Sequence, residues 1–483
     1  MTADPSPAPS PAPAPDPSGT PSGGAGWGEL LTRAHFPALA MVSLAVWLHA
    51  ANSMVTATLI DAMLDDIGGE RWVAWSTALY LVGSISASSV AGLAARRRGL
   101  KPVMTVAAGV FALGCAAQAL APSMPVVLGA RLIQGVGGGG LVALGFVAAG
   151  QLFPRRLTAR VVAVISTLWG VSALLGPLFG GAFVAAGSWR GAVWVFAAQA
   201  VALAMLLAFG LKGAGGGRPE TSVAARPPVV RLALIAAGVF LIAAGGVEVA
   251  PLRTGLLLLA GVGCLVAAFR RDASRGEGRM FPPGAFRLSD RAGASLLMMF
   301  ALCFATVPYL AYGPVLLVRL HGVSALGAGL ALASLSVTWS LAAITVSSWP
   351  ERRDPLAITI GVCLVAATPL AQALAFPHGP VWAIVAIGIV EGAGFGMAWT
   401  FVLRRALSHS AEEDRGRVAS GLPTSEQLGY AVGAAFAGVA ANAAGFAEAR
   451  DPQALAGAAR WIFLATLPAV ALSLVGLRAF LRR

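Results

Sequence analysis

Two stretches decide the fold: RLIQGVGGGG (Arg131 to Gly140) and GVSALLGPLFGG (Gly170 to Gly181). The first lies in an apolar run from Pro125 to Phe153, the second in one that begins after Arg160. An arginine early in a long apolar segment is costly unless it faces protein or water, so Arg131 is a functional candidate by default. Closely spaced glycines let helix backbones approach each other, which is how helices associate in lipid. Gly176-Pro177 removes an amide donor inside a helix, and neighbouring helices must re-satisfy the freed carbonyl. Together these features describe two membrane helices packed tightly beside a polar path.

Composition agrees. Of 483 residues, 57% are hydrophobic and 11% charged, with a mean hydropathy of +0.77. Soluble domains carry about a quarter charged residues, so most of this chain must face lipid or other apolar helices. The net charge of +13 does not point to nucleic acid, because nearly every arginine sits in a short loop between apolar runs. The cysteines, Cys115, Cys264, Cys303 and Cys363, are scattered singly with no metal-ligand spacing. No phosphate-loop, nucleophile-elbow or H-E-x-x-H pattern is visible, so an enzyme is not expected.

Apolar runs long enough to span a bilayer, about 20 residues, number fourteen. They cover residues 37–60, 72–94, 102–121, 125–153, 161–186, 191–211, 229–249, 253–269, 292–318, 325–348, 356–376, 381–403, 417–446 and 459–480. The pair 229–249 and 253–269 can also be read as one hairpin that does not fully cross. Basic residues concentrate in alternate loops: Arg96 to Arg98 with Lys101, Arg155 with Arg156 and Arg160, Lys212 with Arg218 and Arg226, Arg270 with Arg271, Arg352 with Arg353, and Arg404, Arg405, Arg415 and Arg417. The other side offers Arg71, Arg190, Arg253, Arg319, Arg450 and Arg460. This asymmetry places both termini in the cytoplasm.

An internal repeat relates the halves. At a shift of 257 positions Arg160 falls on Arg417, Gly176 on Gly433, Phe179 on Phe436 and Gly181 on Gly438. The same shift carries Gln134-Gly135-Val136-Gly137 onto Glu391-Gly392-Ala393-Gly394. Residues 1–35 therefore read as a disordered cytoplasmic tail and 36–212 as an N-terminal six-helix bundle. Residues 213–290 read as a linker with two extra transmembrane helices, and 291–483 as a C-terminal six-helix bundle. Repeated halves with a site between them are an architecture of secondary transporters.

Over roughly residues 35 to 480 these features resemble the major facilitator superfamily. Arg131, Gln134, Gly135 and Gly137 resemble its fourth-helix motif. Gly170, Gly176, Pro177, Gly180 and Gly181 resemble the fifth-helix motif of its proton-driven antiporters. The two extra helices and ASGLPTSEQLGYAVG (Ala419 to Gly433) are similar to its fourteen-helix drug:proton antiporter branch. The resemblance implies an all-α integral membrane protein that exports small lipophilic or cationic molecules against proton entry. It implies residence in the inner or plasma membrane, a proton gradient and no cofactor, a lipid bilayer and a small-molecule substrate as partners, no nucleic acid, and a monomer.

The sequence departs from the family in three places. GLAARRRGLK (Gly92 to Lys101) has Arg96 where the family's loop carries an acid, so that latch is built differently here. The first helix carries Asn52, Met54 and Ala57 where the branch has a buried acid followed by Thr and Asn. Glu426 stands where relatives often have a basic residue.

Proton coupling must then use other groups. Glu391 lies near the middle of its span, where a desolvated carboxyl favours its neutral form; it either exchanges a proton with a substrate cation or is a structural group. Glu426, nine residues past Arg417, lies about 14 Å into the membrane at helical rise, with Tyr430 one turn on; the alternative is a polar network joining helices. His49, Asn52 and Thr56 form one stripe at helical spacing, and His49 either relays protons or bonds a neighbour. Arg131 is expected to bond first-helix carbonyls or a buried acid, with an anionic substrate as the rival. Asp61, at a helix end, reads as solvated.

In the family helices one, four, nine and twelve line the cavity, here the spans 37–60, 125–153, 292–318 and 381–403. Helices two, five, ten and thirteen flank it, here 72–94, 161–186, 325–348 and 417–446. By that implication Trp75, Tyr80, Trp169, Tyr309, Tyr312, Trp339, Phe395 and Trp399 form an aromatic surface suited to planar or cationic lipophiles, the alternative being ordinary packing. An uptake symporter and a non-transporting receptor or scaffold remain the functional rivals.

Overall fold

The computed structural model describes residues 27–210, 227–275, 279–449 and 451–482. Of the expected disordered tail at 1–35, the later part carries a short helix at Trp27–Leu30, and residues 1–26 lie outside the described residues, as do the loop basics Lys212, Arg218, Arg226 and Arg450. Every regular element among them is helical. In chain order these are α1 (Trp27–Leu30), α2 (Phe36–Ile67), α3 (Val73–Arg98), α4 (Leu100–Ala119), α5 (Met124–Gln151), α6 (Arg155–Ala185), α7 (Trp189–Gly210), α8 (Val229–Ala244) and α9 (Pro251–Ala273). They continue with α10 (Arg291–His321), α11 (Ala325–Val346), α12 (Asp354–His378), α13 (Val381–Ser408), α14 (Arg415–Ala443), α15 (Pro452–Leu464) and α16 (Leu467–Leu481).

Twelve spans among the described residues are long and apolar enough to cross a membrane. Two of the fourteen expected crossings fall outside that set. Helix α8 has 16 residues, about 24 Å at helical rise, against a hydrocarbon core of roughly 30 Å. Helix α14 has the length, 29 residues, but its first half carries Arg415, Arg417, Ser420, Thr424, Ser425 and Glu426. The expected span 459–480 is also divided, by a break between Leu464 and Leu467. Helix α2 runs on to Ile67, so Asp61, Asp65 and Asp66 are helical rather than in a loop.

The repeat is visible helix by helix. Shifting Met124–Gln151 by 257 gives 381–408, the bounds of α13. Within the first half α5 packs on α3 and α4; within the second, α13 packs on α11 and α12. Glycines decide those crossings. A Cβ on Gly135 or Gly139 would overlap the α3 backbone at Tyr80 and Ser84, and one on Gly392 or Gly396 would overlap α11 at Leu335 and Trp339. The halves then cross over each other: α6 packs on α11, and α14 on α3. At those crossings Gly181 faces Leu326, its Cβ position 2.8 Å from the leucine Cβ, and Gly438 faces Ala74 at 3.2 Å. The chain continues as helix through Pro177, whose Cβ lies 2.7 Å from where a Cβ on Gly329 would sit.

Helices α8 and α9 form a hairpin pinched where Gly238 meets Gly261, and α8 lies against α3 and α14. Left-handed glycines end elements where no other residue is unstrained: Gly99 (φ +87°) separates α3 from α4, and Gly322 (φ +64°) closes α10.

Candidate functional site between the halves

The centre of the site is Arg131, 3% exposed on α5. It bonds neither first-helix carbonyls nor a buried acid, as the sequence suggested. It donates to the Asn52 side-chain oxygen at 2.7 Å, to the Thr56 hydroxyl at 3.2 Å and to Gln134 at 2.8 Å. Its guanidinium carbon lies 4.1 Å from the centre of the Tyr80 ring, and its Nε has no partner. No carboxylate among the described residues pairs with it. Charge-assisted bonds are worth about 1.5–3 kcal/mol each, comparable to the several kcal/mol that desolvating the ion costs. The charge is therefore solvated by neutral groups but not cancelled.

The network extends through residues the sequence reading did not single out. Gln134 donates to Gln118 at 2.7 Å, and Gln118 reaches the Met63 sulfur at 3.8 Å. A glutamine in the apolar run 102–121 was the available signal. His49, on the same α2 stripe as Asn52 and Thr56, meets the Tyr80 hydroxyl at 2.9 Å through Nδ1. Trp169 of α6 lies edge-on to His49, with ring centres 5.5 Å apart. Tyr80 thus joins His49 to Arg131.

A cavity of about 100 Å³ opens beside this network, between the halves. Thr56, Ser76, Tyr80 and Arg131 line it from one half, Leu310 and Tyr430 from the other. The helices that supply it are α2, α3, α5, α10 and α14, so α3 and α14 contribute where α13 was expected. At this size it is well below the roughly 300–1,000 Å³ of drug-sized sites.

The two acids belong to the second half, Glu391 buried on α13 and Glu426 half-buried on α14. Glu391 is 3% exposed and accepts from Thr368 of α12 at 3.1 Å, so it sits inside the C-terminal half rather than on the cavity surface. Glu426 lies one turn before Tyr430 on α14. Of that pair, Tyr430 is the residue that lines the cavity.

The expected single aromatic surface is not formed. Trp75 is buried against Trp72 and Phe240 of α8. Tyr309 packs on Phe376 and donates to the Ala331 carbonyl, and Tyr312 packs on Phe446. Half-buried Trp339 stacks flat on buried Phe395 at 4.9 Å at the α11–α13 crossing, and Trp399 packs at the edge of the same core. Of the eight rings expected there, Tyr80 lines the cavity and Trp169 lies against His49, whereas the other six are packing contacts because a span does not reveal how its helix is turned.

Asp61 is also corrected. It is not solvated: Arg319 at the end of α10 donates to it at 2.8 Å, and lies 3.4 Å from Asp65 and 3.8 Å from Glu70. These contacts tie the two halves at one end, and Asn442 of α14 adds a bond to the Arg71 carbonyl at 3.0 Å. At the arginine-rich end Arg404 pairs with Asp354 inside the C-terminal half. Asp354 stands 257 positions after Arg97, so this half carries an acid where the first half has an arginine.

Comparison with known proteins places this architecture. Residues 42–406 match the profile of the Major Facilitator Superfamily. A probable multidrug-efflux transporter of Mycobacterium tuberculosis is 32% identical over 437 residues, covering 86% of this chain and 90% of that protein. Among solved structures, the nucleoside transporter NupG superposes with a TM-score of 0.64 at 11% identity, covering 92% and 100% of the two chains. The xylose transporter XylE from E. coli gives 0.56 at 16% identity, over 93% and 99%. At those identities the superpositions speak for the fold, and the sequence match carries the family. The chain is a multi-pass membrane protein that belongs to the Major Facilitator Superfamily.

Proposed function

We propose that the chain is a proton-coupled exporter of small lipophilic, cationic compounds. The observation that carries this reading is the division of charge between the halves: an uncancelled guanidinium on the cavity wall of the first, and in the second two carboxyls, Glu391 buried against Thr368 and Glu426 one turn before the cavity-lining Tyr430. A lipophilic cation is repelled by Arg131 and drawn to the Tyr430 side. There Glu391, with Glu426, holds either a proton or the influence of the bound cation, so each proton that enters displaces substrate. Arg131, Gln134, Asn52 and Thr56 form the rigid part of the first half, and His49 with Tyr80 offers a second proton-exchanging pair. The likeness to a protein named as a multidrug-efflux transporter supports the direction of transport.

The rest of the arrangement follows. Residues 36–212 and 291–483 rock against each other, with 213–290 as the inserted pair. Both termini face the cytoplasm, and all fourteen apolar segments cross the cell membrane, α14 with its first half packed on α10 through Ser425, α8 by thinning the bilayer around it. The protein acts as a monomer, with a proton gradient and no cofactor. Transport rather than catalysis is its activity.

Reconstituted vesicles with an imposed pH gradient test this. Following protons and a panel of cationic dyes together, an exporter moves both, in opposite directions. Movement in the same direction identifies an uptake symporter, and saturable binding without flux identifies a receptor.

A further inference from the structure

A second cavity, of about 240 Å³, lies far from Arg131, where α9 hands over to the loop before α10. At ~30 Å³ per liquid water it holds a group about eight waters in size. Its walls include Phe269 and Asp272 from the end of α9, and Arg279, Phe281 and Arg287 from the loop. Asp272 is fully engaged in shaping it. Its carboxylate pairs with Arg231 of α8 and accepts the backbone N–H groups of Met280 at 2.8 Å and Phe281 at 3.0 Å.

That engagement leaves the cavity positive. Arg231 cancels Asp272, whereas Arg279 has a buried Nε with no partner and no ion pair to a described carboxylate. Arg287 brings a second guanidinium to the same cavity. A buried, unmet donor beside an uncompensated charge is costly unless an anion completes it. The floor is apolar: the Phe269 and Phe281 rings both touch Phe286, at 4.5 and 5.6 Å.

We propose that this cavity binds the phosphate of an anionic phospholipid. Arginine is suited to that group because its planar fork meets phosphate oxygens in pairs. A lipid is favoured over free phosphate by what leads to the site. Leu259, Val262 and Val266 are exposed on α9, spaced at three and four residues on one face, and Phe269 continues that face into the cavity. An acyl chain lies along this stripe while its headgroup meets the arginines. The arginine-rich end of the bundle is also the end that loop charge assigns to the cytoplasmic leaflet, where anionic lipids attract basic residues. Phe281 and Pro282 each lie 3.4 Å from a Cβ position on Gly421 of α14, so an occupied cavity braces the loop against the helix that carries Glu426.

Native mass spectrometry of the purified full-length protein in neutral detergent tests the assignment. Phosphatidylglycerol, phosphatidylcholine and inorganic phosphate are titrated separately. Wild type is expected to retain one phosphatidylglycerol at roughly tenfold lower concentration than phosphatidylcholine, each 1.4 kcal/mol being tenfold. R279Q/R287Q is expected to lose that preference, whereas R352Q/R353Q, at the same end but outside the cavity, keeps it. Arg287 is exposed, so R287Q folds even if the double variant does not, and is expected to lose roughly half the preference on a logarithmic scale. An unchanged preference in R279Q/R287Q, or an equal loss in R352Q/R353Q, overturns the site. Displacement of the lipid by equimolar inorganic phosphate overturns the choice of lipid.

Discussion

Arg131 donates to Asn52 at 2.7 Å across the α2–α5 contact, and 257 positions later the same two places are held by Gly388 and Tyr309. A Cβ on Gly388 would lie 2.8 Å from the Tyr309 hydroxyl, so the tyrosine fills the space that the arginine occupies in the first half. One turn further along, Gln134 has Glu391 as its counterpart. The backbone of the two halves is repeated, but the ionisable groups are not: the first half carries the buried cation and the second the buried acid. The scaffold is symmetric while its buried charges are not.

Replacing Arg131 should separate charge from geometry. One Arg131 nitrogen meets three acceptors, from Asn52, Thr56 and Gln134. Lysine keeps the charge but has a point-like head that loses the face-on contact with Tyr80. Arg131→Lys is expected to insert normally and lose at least tenfold in efflux rate. Arg131→Ala should also lower the Tm in detergent by several degrees, because buried acceptors left without donors cost about 1–3 kcal/mol each. Wild-type efflux in the lysine variant would show that only the charge matters.

Glu391→Gln preserves the Thr368 bond, since the amide oxygen can accept where the carboxylate oxygen did. The fold should therefore survive while proton exchange is lost. Proton-coupled dye efflux from vesicles is expected to fall to background, with normal insertion and an unchanged Tm. Undiminished, pH-sensitive efflux would remove Glu391 from the mechanism.

The Arg319–Asp61 pair joins α10 to α2 with side chains 27% and 14% exposed. Partly exposed pairs contribute on the order of 1 kcal/mol, so Arg319→Gln should shift the balance between open and closed states roughly fivefold. A cysteine at Ser76, on the cavity wall, reports this when the four native cysteines are replaced. Its labelling by an impermeant thiol reagent added from outside is expected to rise by that factor. Exchanging the charges, Asp61→Arg with Arg319→Asp, should restore slow labelling; if Arg319→Gln alone labels no faster, the pair holds nothing shut.

Gly135 and Gly392 make equivalent crossings, each against the backbone of the neighbouring helix. Alanine at either position forces the helices apart, and overpacking of this kind costs typically ~1–3 kcal/mol. Both variants should lower the Tm by similar amounts, whereas alanine at Gly129, where nothing lies within 4 Å, should not. Thermal unfolding in detergent measures all three. A Gly135→Ala protein as stable as wild type would mean that the α3–α5 distance is set elsewhere.

Much of this was legible in the linear chain because its causes are local or periodic. Hydropathy marks a crossing segment whatever it packs against, and a constant shift of 257 survives because both halves need glycines at the same crossings. Arg131, Gln134 and Asn52 stood out because polar side chains in apolar runs are costly, and the fold brings them together. Gln118 escaped notice because its partner is sixteen residues away on another helix, and Asp61 was read as solvated because its partner is 258 positions away. The aromatic residues were assigned to one surface because a span does not reveal which way its helix is turned.

The sequence alone determined that the chain crosses the membrane many times, that it is built twice over, and that an arginine lies inside an apolar run. Those follow from composition and spacing, which act residue by residue. Tertiary structure decided that Arg131 bonds Asn52 and Thr56, that Tyr430 rather than Trp75 reaches the cavity, and that Arg319 closes one end on Asp61. Those choices depend on helix rotation and on the meeting of distant segments, and glycine-to-backbone contacts set both.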